Sequence, residues 1–158
     1  MPKEHEIEKS SLDDTASIIV NIRNEFKKIN SDTKRLRLVT RDLEDISSEG
    51  GVLKLFYDKS NLRKAILIAY GETGKSVTDY YFKNGKLIFI YTQNKFYDKS
   101  IYDNTQPKIQ KEEDNRFYFL NEKLIRWIDK NNKIVSSKEY SRKAKELNYE
   151  VSSLLGRK

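Results

Sequence analysis

Tyr80-Tyr81-Phe82-Lys83-Asn84-Gly85-Lys86-Leu87-Ile88-Phe89-Ile90-Tyr91 is the stretch that decides the fold. Asn84 and Gly85 both tolerate the positive φ that a two-residue type I′ turn demands, and apolar residues flank them on each side. The segment therefore predicts a tight antiparallel hairpin, Tyr80–Lys83 against Lys86–Tyr91. Simple alternation from that turn sets Phe82 opposite Leu87, Tyr80 opposite Phe89 and Thr78 opposite Tyr91. Tyr80, Phe82, Phe89 and Tyr91 would then share one face with Leu87, while Tyr81, Ile88 and Ile90 share the other. These four aromatics are the candidate binding surface, because large rings supply contact area at low entropic cost.

Upstream, period-two and apolar runs continue the pattern. Val52–Tyr57 leads through a turn at Asp58–Asn61 into Leu62–Tyr70, and a turn at Gly71–Gly74 leads into Ser76–Phe82. Leu36 and Leu38 alternate with Arg35 and Arg37, as in a half-exposed edge strand. Downstream, Gln93–Asn115 is polar, contains Pro107 and reads as a long loop. Arg116–Leu120 and Lys123–Asp129 form another hairpin across Asn121-Glu122.

A helix is expected at each end of this strand series. Ser11-Leu12-Asp13-Asp14 has the form of a capping box, and Ile18, Ile22, Phe26 and Ile29 make one stripe over about residues 12–29. Ser136 and Glu139 form a second capping box, ahead of Tyr140, Ala144, Leu147, Val151 and Leu154, with Gly156 placed at the end. The fold class expected is α+β, an antiparallel β-meander of about six to seven strands flanked by an N-terminal and a C-terminal amphipathic helix. It occupies residues 11–158 as a single domain behind a flexible tail, 1–10. Both faces of the central strands are apolar. Two short helices suffice for one, leaving the other to the long loop, anchored by Tyr97, Ile101 and Tyr102, or to a partner.

Two patterns repeat. Phe56-Tyr57-Asp58-Lys59-Ser60 recurs at Phe96–Ser100, and Tyr81-Phe82-x-Asn84-x-Lys86-Leu87-Ile88 recurs from Tyr118 to Ile125. A third pattern misleads. Ala69-Tyr70-Gly71-Glu72-Thr73-Gly74-Lys75-Ser76 ends like a phosphate-binding loop, but alanine replaces the first glycine. That chemistry needs a helix starting at Lys75, whereas Val77, Thr78, Tyr80, Tyr81 and Phe82 favour strand. The segment reads as a hairpin turn.

Residue inventory narrows the chemistry. No cysteine is present, which excludes disulfides and thiol nucleophiles, and the single histidine, His5, falls in the expected tail. Neither a histidine-based triad nor a zinc site of nitrogen and sulfur ligands can be assembled, so no catalytic residue, metal or cofactor is expected. A net charge of +7 permits nucleic-acid binding, and Lys34, Arg35, Arg37 and Arg41 are the densest basic cluster. Acids are interspersed nearly everywhere, so nucleic acid is disfavoured relative to protein. No apolar run is long enough to span a bilayer.

Glu49-Gly50-Gly51, Tyr57-Asp58, Arg63-Lys64, Tyr70–Lys75, Tyr80–Ile88 and Arg116–Asp129 together resemble a family of uncharacterised bacterial secreted or lipoprotein domains of Bacteroidetes type. The likeness covers roughly residues 17–130 and brings no functional residue with it. It implies a periplasmic or cell-envelope location if a leader has been cleaved, and a cytoplasmic one otherwise. The expected function is a non-catalytic envelope or secreted binding module for a protein partner. An inhibitor or immunity-type protein that blocks a toxin or enzyme is the alternative, and a nucleic-acid-binding module the second. Self-association as a homodimer is compatible with each.

Overall fold

The computed structural model describes residues 4–156, with side chains from residue 14 onward. The order is α1 (Glu4–Asp32), β1 (Arg37–Leu43), β2 (Gly51–Asp58), β3 (Asn61–Tyr70), β4 (Gly74–Lys83), β5 (Lys86–Tyr97), β6 (Ile109–Leu120), β7 (Lys123–Ile128) and α2 (Tyr140–Leu155). The strands make one seven-stranded sheet whose spatial order is the sequence order, and every neighbouring pair is antiparallel. The fold is therefore α+β, an antiparallel meander with a helix at each end. Helix α1 is longer than its apolar stripe. It includes residues 4–10 of the expected tail, and the side chains of the Ser11–Asp14 capping box before Asp14 lie outside the described residues.

Three hairpins at one end of the sheet, here the lower end, share one construction. The turn residues Asn84 and Gly85 have φ of 52° and 77°, and Asn121 and Glu122 have 48° and 69°, the type I′ signature. Lys59, at φ 56°, opens the β2–β3 turn. Just inside each turn the ladder slips by one residue. Phe82 pairs with Leu87 but Tyr81 with Phe89, and Phe119 pairs with Leu124 but Tyr118 with Arg126. Likewise Tyr57 pairs with Leu62 but Phe56 with Lys64. Arg63, Ile88 and Ile125 are thus the extra residues of three β-bulges. The Tyr81–Ile88 and Tyr118–Ile125 repeat is this bulged hairpin. The other repeat is not structural, because Phe56–Ser60 lies at the lower end and Phe96–Ser100 at the upper.

The bulge corrects the expected aromatic face. With Ile88 unpaired, Tyr80 meets Ile90 and Asp79 meets Tyr91. Tyr80 and Phe82 fall on one face with Leu87 and Ile90, while Phe89 and Tyr91 fall on the opposite face with Tyr81. Strict alternation failed because a bulge places two successive side chains, Ile88 and Phe89, on the same side.

The helices also divide differently from expectation. They cover opposite faces of the sheet rather than one. Helix α2 lays Ala144, Leu147, Val151 and Leu154 on Leu53, Leu55, Tyr80, Phe82, Ile90, Phe117 and Phe119. Helix α1 packs Ile19, Ile22 and Ile29 on Tyr81, Phe89 and Tyr118. Phe26 of α1 stacks on Phe89, with centroids 4.5 Å apart and planes at 16°, and lies tilted against Tyr81. The helix is pinned at its flanks by Arg63 to Glu25 at 2.5 Å, with Arg23 Nε donating to the Tyr118 hydroxyl at 3.3 Å.

The expected loop over Gln93–Asn115 is mostly strand. Gln93–Tyr97 extends β5, Ile109–Asn115 begins β6, and only 98–108 connects them. Polar residues form strand here because, among the described residues, neither helix cluster includes this part of the sheet beyond Tyr91; cross-strand charge pairs such as Lys95–Glu112, 3.6 Å, assist. The connection folds over the upper end of the sheet instead of its face, with Ile101 N–H donating to the Glu72 carbonyl at 3.0 Å.

Gly71–Gly74 is a turn and Lys75 continues a strand, so the phosphate-loop-like segment forms a hairpin closed by Gly71 N–H to the Gly74 carbonyl at 2.8 Å. Gly74 is required by close approach, because a Cβ there would sit 2.4 Å from the Lys95 carbonyl oxygen.

Candidate functional site

The residues expected to bind are core residues. Tyr80 and Phe82 lie beneath α2 and Phe89 beneath α1, at 5%, 5% and 3% exposure. Tyr91 is half-buried at the margin of the α1 cluster, its hydroxyl donating to Asp114 at 2.7 Å and accepting from Gln93 Nε2 at 3.3 Å. The structure does not bring the four together on one accessible face.

What remains accessible is decided by height along the strands. On the α1 face, the lowest cross-strand row is Phe56, Lys64, Tyr81, Phe89 and Tyr118, beneath the helix. The next row up is Lys54, Ile66, Asp79, Tyr91 and Arg116, and above it stand Val52, Ile68, Val77, Gln93 and Asp114. Among the described residues, Val52, Ile66, Ile68 and Val77 pack against neither helix cluster. They form a half-buried aliphatic patch across β2, β3 and β4.

At the same height the α2 face is different. Its rows are Leu53, Leu67, Thr78, Thr92 and Asn115, then Gly51, Ala69, Ser76, Asn94 and Glu113, apolar or small across β2 and β3 and polar from β4 outward. Small polar side chains are what a solvated sheet face carries. On the α1 face the β-branched aliphatics continue onto β4 at Val77, and among the described residues they pack against neither helix cluster.

The upper end adds exposed rings. Tyr70, Phe96, Ile101, Tyr102 and Ile109 are all exposed there, Tyr102 by 68%. Tyr102 reaches across to the β1–β2 loop and donates to Glu49 at 2.6 Å, while Ser100 donates to Glu72 at 2.9 Å. The bond to Glu49 raises the Tyr102 phenol above its ordinary pKa. Ser47 Oγ donates to the carbonyls of Gly50 and Tyr70, fastening that loop to β3.

Between the patch and α1 sits a buried polar cluster. The Lys64 ammonium donates to Asn30 Oδ1 at 2.8 Å and lies 5.1 Å from the Tyr81 ring centroid, and the Tyr81 hydroxyl also donates to Asn30 Oδ1 at 3.0 Å. Burial pulls the Lys64 pKa down, partly offset by Asp79, and burial pushes the Asp79 carboxyl up. Burial and the nearby Asp79 charge also raise the Tyr81 phenol, to about 12. No nucleophile and base are paired in this cluster, and its hydrogen bonds join helix to sheet. Among the described residues, no group of three or more histidine, cysteine, aspartate or glutamate side chains is placed to hold a metal ion. No described helix is long and apolar enough to cross a membrane.

The continuous apolar run Ala65–Ala69 was the sequence signal for the patch, since it is apolar on both faces. The bulges and the diagonal course of the helices, which decide where cover ends, left no such mark. No family model, curated protein or solved structure matches the chain.

Proposed function

We propose that the protein is a non-catalytic binding module that receives a protein partner on the upper part of its α1 face. The observation that carries this reading is the half-buried aliphatic patch of Val52, Ile66, Ile68 and Val77, which packs against neither helix cluster among the described residues. An apolar centre rimmed by charge and by the Tyr70 ring is the anatomy of a protein interface. Lys54, Lys75 and Asp79 supply the rim. The lack of cysteine and the single histidine support a non-catalytic role. The likeness to leader-bearing bacterial domains supports an envelope setting for the encounter.

Site-specific photo-crosslinking in the native host tests this. A photoreactive residue at Ile68 or Val77 is expected to give discrete adducts that the same probe at Leu120, exposed on the lower end, does not. Equal labelling at all three positions would remove the reading. An adduct with a toxin or enzyme whose activity the protein blocks would give the same surface an inhibitory use.

A further inference from the structure

We propose that a second site, on the opposite face, takes an aliphatic ammonium group: a pocket between α2 and the β1–β2 loop, floored by Tyr80 and gated by Glu150. It stands on residues separate from the partner surface above. The pocket has a volume of ≈ 290 Å³ and is walled by Ile46, Leu67 and Leu154, with Tyr149, Glu150 and Ser153 at its rim. That is the space of about ten water molecules, enough for a short alkyl chain.

Two polar groups give the pocket its chemistry. Tyr80 is 95% buried by its 5% exposure, yet among the described residues its hydroxyl makes no hydrogen bond, although every deeply buried polar atom has a partner. The hydroxyl is therefore not sealed in the core but reached through the pocket. Glu150 is the second group. The neighbouring carboxylates are paired, Glu139 just ahead of α2 with Arg142 and Glu146 with Arg142 and Lys143, whereas among the described residues Glu150 makes no ion pair. In a chain of net charge +7, an unpaired carboxylate beside an unbonded phenol marks a place prepared for a cation. Burial raises the Tyr80 phenol and the Glu150 charge adds to the rise, while desolvation and Glu146 raise the Glu150 carboxyl, partly offset by Lys143. A bound ammonium would relieve both.

The apolar walls then select the body of the ligand. An ammonium on a straight alkyl stem places methylenes against Ile46, Leu67 and Leu154, and its N–H groups donate to Glu150 and to the phenolic oxygen of Tyr80. Tyr149, 76% exposed, stands at the mouth with a ring face available to a cation. The same group occurs on a free alkylamine and on a lysine side chain in a polypeptide.

Amide NMR titration of the full chain distinguishes these sources and tests the site. The probes are n-pentylammonium and a lysine capped at both ends, with 1-pentanol as the neutral counterpart. Both ammonium probes are expected to shift Leu67, Ser153 and Leu154 saturably, and pentanol to bind about tenfold more weakly or worse. Glu150→Gln is expected to weaken the ammonium probes by about tenfold while leaving pentanol unchanged. Tyr80→Phe, which removes only an unbonded hydroxyl, should fold normally and weaken them severalfold. Tighter binding of pentylammonium points to a free amine, and equal or tighter binding of capped lysine to a polypeptide. Equal affinity for pentylammonium and pentanol, an unaffected Glu150→Gln, or no saturation by about 50 mM overturns the proposal.

Discussion

Glu122 holds φ at 69° without being glycine, at the second position of a type I′ turn whose partner turn uses Gly85. Left-handed backbone costs a residue with a Cβ about 1–2 kcal/mol. Glu122→Gly should therefore raise stability by about 0.5–1 kcal/mol after the entropic cost of glycine, read as an upward shift in the urea midpoint. Gly74 is the opposite case. Gly74→Ala should lower stability by about 2 kcal/mol or more, because the added methyl meets backbone rather than a movable side chain. Lys64 gives a pH-dependent case. Burial raises the folded Asp79 pKa, so the folded state favours its neutral form and that contribution is lost as pH rises through the raised value. Lys64 is the cation that limits this loss. Lys64→Met should cost about 2 kcal/mol at pH 7 and progressively less toward pH 4, as Asp79 takes up its proton.

Each helix is held by a different kind of contact. Helix α2 meets the sheet through aliphatic burial, whereas α1 depends on the ring stack of Phe26 with Phe89 and Tyr81. Phe26→Ala should cost about 3–4 kcal/mol and flatten the near-ultraviolet circular dichroism, since it removes both burial and ring packing. Which elements exist was legible from local chemistry: Asn84-Gly85 announces its hairpin, and Ile18, Ile22, Phe26 and Ile29 announce α1. Two features were not. A bulge residue such as Ile88 is chemically ordinary, so nothing in its side chain signals a slipped register. Polar strand at Gln93–Tyr97 resembles loop because the alternation that reveals a strand comes from burial on one face, and there neither face is covered. The side each helix takes depends on the path of its connection, which composition does not encode. Tyr80, Phe82, Phe89 and Tyr91 read from the sequence as one binding face, whereas the slip separates them onto two faces and three of them are core residues.

The molecule is consequently a sheet longer than its cover, sandwiched between helices below and bare above. A single strand passes through both environments. Hydrogen exchange should therefore differ within β5, with amides of Leu87–Tyr91 protected to near the global unfolding free energy and those of Gln93–Tyr97 opening locally, about 1–3 kcal/mol more easily. Uniform protection along the strand would mean that the upper half is as firmly held as the lower. The bare half is also where the aliphatic patch of Val52, Ile66, Ile68 and Val77 lies.

The slipped hairpins carry one more consequence. Arg63, Ile88 and Ile125 each add a second side chain toward α1 at successive turns, Arg63 by its ion pair and the two isoleucines by packing. The unit that can be inserted or removed without turning the sheet inside out is therefore one hairpin with its bulge. Growth by a single strand would reverse chain direction at the far edge and send the closing helix back from the wrong end. Growth by two strands preserves parity, so the length of this architecture is quantised in pairs.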